Sequence, residues 1–305
     1  MTKIFNEDFE NIVFDTSANP NTGLGRARLD IYNYLKSKNS TKNKKILYDY
    51  EIGIKTGGQF NILDFFNLNK FKSENKNLYV FTNLIAPSLW IFRVNYVFIL
   101  FDLYCFKENT FKDFLLRKLM LLFLKNAQSV VCSTNYIKKE AKCLPSYKKI
   151  TFDKCVLSSK KIFKSLNINK KLNLIFIGSN KSNKNIKLLN KISLIVSKSS
   201  NLQLFTIGLS IKDIKVKNSN NINVLNNISN DMIIMLLKNS DYLICTSTDE
   251  GLSYPVLDAV NHRLKILCFD LPVFKEMYNN KNMHTFKNDN QYLEYVERLR
   301  FGEKL

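Results

Sequence analysis

Short apolar runs alternate with helix-like segments along this chain, and the series occurs twice. The first five runs fall at 12–14, 46–48, 78–81, 97–101 and Ser129–Cys132. A second series follows at Leu172–Ile177, Leu202–Ile207, Ile222–Leu225, Tyr242–Cys245 and 265–268. Each run is brief, rich in Val, Ile and Phe, and lacks the polar alternation of a sheet with one wet face, which predicts parallel strands buried on both sides. Between them lie segments with helical spacing at 24–36, Phe111–Asn126, 136–142, 185–198, 231–239, Tyr254–Asn261 and 291–298. Strands alternating with helices predict an α/β fold of two doubly wound, Rossmann-like domains. The polar stretch 158–171 separates the series, so the expected domains are 1–165 and 166–305. Two such domains are expected to leave a cleft outside the carboxyl ends of their strands, where ligands bind.

Composition narrows the class further. With 45% hydrophobic residues among 305, the chain buries two medium cores without difficulty. No stretch approaches the roughly 20 uninterrupted apolar residues that span a bilayer. The mixed, acidic segment 1–10 does not resemble a signal peptide, so a cytoplasmic protein is expected. The six cysteines (105, 132, 143, 155, 245 and 268) form no C-x-x-C pair and have only two histidines to join them. Buried, reduced thiols are therefore expected, with no metal site. The formal charge of +20 speaks to partners: nucleic acid, an anionic membrane or phosphorylated substrates. Nucleic acid is set aside, because no basic and aromatic residues interleave as in a recognisable binding module. In segment 111–125 Arg117, Lys118 and Lys125 are read onto one face of an otherwise very apolar helix, a pattern shared by core helices and by helices lying in a membrane interface.

Three motifs carry chemistry. Gly23 and Gly25, in Thr22-Gly23-Leu24-Gly25-Arg26, follow the first strand and open a helix, where free N–H groups favour a phosphate. Gly178 begins the second, running to Asn185, in which Lys181 and Lys184 follow a strand directly; Lys184 offers a point charge to a diphosphate. The third is the most specific, Ser247 to Ala259. Gly251 permits close backbone approach, the amides of Leu252, Ser253 and Tyr254 stand at a helix start, and Pro255 suits its first turn. Glu250 and Asp258, eight positions apart, are placed to accept hydrogen bonds from sugar and ribose hydroxyls.

Taken together these elements resemble the retaining glycosyltransferases of family four, with their GT-B fold. The resemblance runs over most of the chain. Segment 11–35 resembles the family's "tGIgR" element, and Phe98-Ile99-Leu100-Phe101-Asp102-Leu103 its "vtvHDl" strand. Segment 130–140 resembles "vSeysk", 174–189 resembles "fvGrl…KNl", 250–258 the E-x7-E element, and 269–276 the following "sdipvfrEv". The resemblance implies that Lys184 neutralises the donor diphosphate, Glu250 lies near the donor sugar and Asp258 binds the ribose. The Gly251–Tyr254 amides hold the sugar and distal phosphate; Gly23 and Gly25 face the phosphates from the other domain, and Asp102 joins the catalytic set. It further implies transfer of a hexose, in the manner of a mannosyltransferase, from a nucleotide-diphosphate sugar to a glycan or lipid-linked acceptor in bacterial surface polysaccharide synthesis. Metal and cofactor are not needed in that mechanism. The chain departs from the pattern at Ser179, where the family has arginine and Lys181 is the substitute, at Phe101 in place of histidine, and at Asp258 in place of glutamate. These departures open a second expectation, a GT-B scaffold subunit without catalysis.

Overall fold

The protein is described by a computed structural model. It places residues 9–15, 23–38, 45–48, 76–82, 94–107, 110–144, 150–152, 171–216, 219–278 and 281–303. The chain divides into two compact units, 1–158 and 159–305. The expected boundary at 165/166 lies outside the described residues.

In the first unit the strands are β1 (Asn11–Phe14), β2 (Lys45–Tyr48), β3 (Asn77–Phe81), β4 (Asn95–Leu100), β5 (Ser129–Cys132) and β6 (Ile150–Phe152). They form one parallel sheet in the order β2-β1-β3-β4-β5-β6. The helices are α1 (Gly23–Lys38), α2 (Phe111–Asn126) and α3 (Asn135–Ala141). The apolar runs read from the sequence are its central strands: Val80, Val97, Ile99, Val130 and Val131 are buried. Phe81, Tyr96, Phe98 and Phe123 share the core, and the Tyr96 hydroxyl donates to the Phe123 carbonyl at 2.6 Å, so the phenol is buried without leaving its polar end unpaired. α2 starts at a capping box in which Thr110 accepts from the Asp113 amide while the Asp113 carboxylate accepts from the Thr110 amide.

The second unit repeats the plan. Its strands are β7 (Leu172–Ile177), β8 (Leu202–Ile207), β9 (Ile222–Leu225), β10 (Tyr242–Cys245), β11 (Lys265–Phe269) and β12 (Met283–Phe286), and its helices α4 (Ile186–Ser197), α5 (Asn230–Lys238), α6 (Tyr254–Asn261), α7 (Pro272–Met277) and α8 (Asp289–Arg300). The sheet is parallel, in the order β12-β11-β10-β7-β8-β9. Leu188, Leu189, Ile192 and Val196 of α4 pack with Leu204 and Ile244 in the core beneath it. The chain winds from β7 outward through β8 to β9, then returns to lay β10 on the other flank of β7. The strand order therefore reverses between β7 and β10, the place where doubly wound sheets open a crevice at their carboxyl ends. In the first unit the reversal falls between β1 and β3.

Among strands and α-helices of the described residues, three went unread in the sequence. β6 and β12 are edge strands of three and four residues, and α7 has six residues begun by Pro272. The cysteine expectation needs one correction: Cys105, Cys132, Cys245 and Cys268 are free and buried, whereas Cys143, in the turn after α3, is exposed. Cys155 lies outside the described residues. On α2, Lys118 and Lys125 are exposed but Arg117 leaves their face, folding back so that its Nε donates to the Asp113 carbonyl at 3.4 Å. The reason is angular: at 100° per residue Arg117 stands about 100° from Lys118 around the helix. Among the described residues no helix is long and apolar enough to cross a membrane.

Candidate functional site

Lys184 and Glu250, which the sequence singled out in the second unit, meet at the reversal between β7 and β10. After β7 the chain passes Gly178 and makes a single 3-10 turn, Ser182–Lys184. Asn185 then adopts the left-handed conformation (φ 43°) and caps α4, its side chain accepting from the Leu188 amide at 3.1 Å. Asn tolerates this backbone better than most residues. Lys184 thus ends a tight turn one residue before the cap, and Asn185 is the cap itself rather than part of the helix.

The loop after β10 is stitched to this turn. The Thr248 amide donates to the Asn183 carbonyl at 2.9 Å, and Asn183 Nδ2 returns a bond to the Asp249 carbonyl at 2.9 Å. The fully buried Thr246 hydroxyl donates to the Lys184 carbonyl at 2.6 Å. These bonds fix two loops, 66 residues apart in sequence, so that Lys184 Nζ donates to Glu250 Oε1. The side chains of this ion pair are 16% and 9% exposed. Gly178 lies against the same lysine: a Cβ there would come 3.1 Å from the Phe176 ring and 3.8 Å from Lys184 Cδ. Beyond it Gly208 (φ 85°) follows β8, where a Cβ would approach the Gly178 carbonyl oxygen to 2.9 Å. Glycine at both positions lets neighbouring strand ends close up beneath Lys184.

Past Glu250, the buried Gly251 leads to α6. Ser253 is its N-cap residue, yet its hydroxyl makes no cap bond; Oγ is buried and without a hydrogen-bond partner. Pro255 fills the first turn. The Ser253 carbonyl is held by the buried Tyr278 hydroxyl, which donates at 3.2 Å. Burial pushes the Tyr278 phenol up, and Asp258, Cys245 and Glu250 add to the effect, so it stays a protonated donor. Asp258 falls one turn into α6 and is half-buried. Cys245, at the end of β10, has its thiol pushed up by burial and by Glu250, against the lowering influence of Lys184, which suits a packed thiol rather than a nucleophile. Leu252 is half-buried beside this turn, and Lys181 is exposed at the start of the 3-10 turn.

Gly23, Gly25 and Asp102 belong to the first unit. α1 starts one residue earlier than expected, so Gly23 and Gly25 are its first and third residues, Gly25 buried. Asp102 is exposed, and its carboxylate accepts from the Tyr104 amide at 3.2 Å, just ahead of the turn Tyr104–Phe106. Phe101, standing where the resembled family has histidine, is buried, and its carbonyl accepts from Ser133 Oγ at 3.3 Å. Among the described residues no three His, Cys, Asp or Glu side chains cluster as metal ligands would. Ser253 Oγ and the Tyr278 hydroxyl are the contributors that sequence reading did not single out as side chains. The N-cap position before Tyr254-Pro255 was a signal for the first; nothing local marked the second.

The profile of the family described as glycosyl transferases group 1 matches residues 137–301, more than half of the chain, so the chain belongs to the group 1 glycosyl transferases. No curated protein matches the sequence. Among solved structures, Anabaena HepE in complex with UDP-glucose superposes with a TM-score of 0.68 at 12% identity, over 94% of this chain and 88% of that one. The lipopolysaccharide outer core galactosyltransferase WaaB, in its apo form, gives 0.61 at 14% identity, over 96% and 90%. S. aureus TarM gives 0.57 at 15% identity over 75% of this chain, which spans about half the length of TarM (49%). Likeness at this level establishes the fold, and the two parallel-sheet units are those of GT-B proteins.

Proposed function

We propose that this protein is a retaining glycosyltransferase that moves a hexose from a nucleotide-diphosphate sugar to a glycan or lipid-linked acceptor of a bacterial surface polysaccharide such as lipopolysaccharide, capsule or O-antigen. The observation that carries the reading is the Lys184–Glu250 pair at the strand reversal, beside a helix start whose Ser253 hydroxyl is buried and unpartnered. A buried hydroxyl without a partner is a group awaiting one, and a diphosphate oxygen at the start of α6 supplies it, aided by the positive end of the helix dipole. Lys184 then turns from Glu250 to the diphosphate. Glu250 is released to accept a hydrogen bond from a hydroxyl of the donor sugar, and Asp258 takes the ribose.

In the proposed reaction the bond from the sugar's anomeric carbon to the phosphate oxygen breaks. The acceptor oxygen bonds to that carbon on the same face, and the departing phosphate takes the acceptor's proton. Stabilising the leaving charge is the protein's main task, and Lys184 with the α6 start meets it without a metal. The structural neighbours support the donor class: HepE is solved with UDP-glucose and TarM with UDP.

For a lipid-linked acceptor we place α2 against the membrane. Phe111, Phe114 and Leu115 are 84%, 51% and 54% exposed, with Lys118 and Lys125 exposed on the same side, opposite the buried Met120, Phe123 and Leu124. A helix with an exposed apolar face that also carries lysines suits an anionic lipid interface. The protein is then cytoplasmic and peripheral. A second reading, a scaffold subunit without turnover, is favoured by the buried Phe101. Incubation with nucleotide sugars and NMR of the product anomer decide between them. Transfer with retention, lost in Glu250→Ala, is the expected result; nucleotide binding without transfer in the wild type establishes the scaffold.

A further inference from the structure

Within the second unit a cavity of about 740 Å³ opens at the carboxyl ends of β10, β11 and β12. Thr248, two residues before Glu250, forms one wall; the chain after β11 (Phe269, Asp270) and after β12 (Phe286, Lys287, Asp289) forms the others. The proposed donor chemistry uses none of these side chains. The volume is that of a small-ligand site, whose usual range is roughly 300–1,000 Å³.

Its chemistry narrows the occupant. The floor is aromatic, Phe269 and Phe286 being almost wholly buried. The rim carries two carboxylates, each already held by a cation of the protein. Asp270 pairs with Lys275 at 2.8 Å, and Asp289 with Lys191 at 3.8 Å, while Asn185 Nδ2 lies 3.4 Å from Asp289 Oδ1. Carboxylates fixed in this way stay available as acceptors while their charge is already matched by a lysine. The exposed Lys287, Asn288 and Asn290 supply donors on the same rim. An aromatic floor under a rim of paired acceptors and donors fits a neutral polyhydroxylated ring, since each hydroxyl both donates and accepts. We infer that this cavity is a saccharide-binding subsite for one or two neutral sugar rings, adjoining the proposed donor site through the Thr248–Glu250 loop. It rests on the transferase reading only for its purpose; the binding itself stands alone.

The test uses the full chain with UDP, GDP or ADP at saturating concentration, so that the diphosphate position is filled. Glucose, galactose, mannose and N-acetylglucosamine are titrated singly and as maltose and lactose, with glucose 6-phosphate and glucuronate as charged counterparts, by saturation-transfer NMR. At least one neutral sugar is expected to bind saturably, and more tightly than its charged counterpart. Asn290→Trp, which sets an indole across the mouth from an exposed position, is expected to weaken it tenfold or more while nucleotide binding and Tm stay unchanged. Asp270→Asn, which keeps the shape and removes the charged acceptor, is expected to weaken it less. Absence of binding by every neutral sugar, tighter binding of the charged ones, or binding that survives Asn290→Trp overturns the inference. Nucleotide binding is scored in the same samples, so a failed donor reading appears as lost nucleotide binding and a failed cavity as lost sugar binding alone.

Discussion

The Lys184 ammonium donates to the Glu250 carboxylate across the strand reversal, each residue delivered by a different strand end and both largely withdrawn from water. The arrangement depends on backbone bonds between the two loops more than on the pair itself, because Thr246, Asn183 and Thr248 hold the loops together. In the proposed cycle Glu250 restrains the lysine until a diphosphate competes for it. The pair should therefore be separable by mutation. Glu250→Gln keeps the shape and frees the ammonium, so nucleoside diphosphate is expected to bind as well as or better than to wild type, while sugar transfer falls by about 10²-fold or more. Isothermal titration and a transfer assay on one preparation check both halves.

The strand ends beneath the site require glycine at one position for two reasons at once. Gly208 has a positive φ, and any Cβ would press on the Gly178 carbonyl at 2.9 Å. Gly208→Ala is expected to cost about 2–4 kcal/mol, the sum of backbone strain and overpacking. Gly302 shares the positive φ (81°), but the nearest atom to its would-be Cβ is 3.8 Å away. Gly302→Ala should cost only about 1 kcal/mol. Denaturant midpoints of the two variants measure the difference.

Buried thiols predict the alkaline limit of stability. Burial pushes the Cys105 thiol up to about 11 and the Cys132 thiol to about 12, from an ordinary value of 9.0. Above pH 9 the unfolded chain loses these protons while the folded protein keeps them, so stability falls with rising pH. It is flat below about pH 9 as far as these groups are concerned, and the loss continues to about pH 12. Cys132→Ala is expected to show a shallower alkaline slope, though from a lower plateau, in urea melts run across that range. At pH 8 the same burial should leave Cys143 as the thiol that an alkylating reagent reaches among the five described, read by peptide mass spectrometry.

The outer face of α2 gives a prediction about location. Phe111→Ser with Phe114→Ser removes apolar surface that the fold does not bury, so Tm should be unchanged within about 1 kcal/mol of stability. Sedimentation with phosphatidylglycerol vesicles is expected to drop by about tenfold or more, since each buried Phe contributes roughly 1.5–3 kcal/mol. Raising salt should weaken the wild-type association through Lys118 and Lys125. Wild-type protein that stays in the supernatant at low salt refutes the placement.

Much of this architecture could be read from the chain because parallel strands buried on both faces leave continuous apolar runs. Ser129–Cys132, Leu172–Ile177 and Tyr242–Cys245 have the bounds that their Val, Ile and Leu content predicts. Two of the four edge strands, β6 and β12, were silent, whereas β2 and β9 were read from their apolar runs. β12 reads Met-His-Thr-Phe, half-exposed and paired on one side only, and carries little hydrophobic signal. At the site, motif spacing located Lys184, Glu250 and the α6 start. It could not report that Lys184 is engaged with Glu250, that the Asp102 carboxylate accepts from the Tyr104 amide, or that α1 already includes Gly23, because these depend on contacts and torsions rather than on residue type. The Tyr278 hydroxyl beneath Ser253 comes from a separate element, 25 positions away, which no local pattern joins to the motif.

The central claim is that an anionic leaving group sits between Lys184 and the start of α6. Titration of UDP, GDP and ADP into wild type and Lys184→Ala tests it most directly. At least one nucleotide should bind the wild type and stabilise it in proportion to its excess over Kd, and Lys184→Ala should weaken that binding tenfold or more, about 1.4 kcal/mol. Equal affinity in the two proteins, or no binding of any of the three at millimolar concentration, contradicts it.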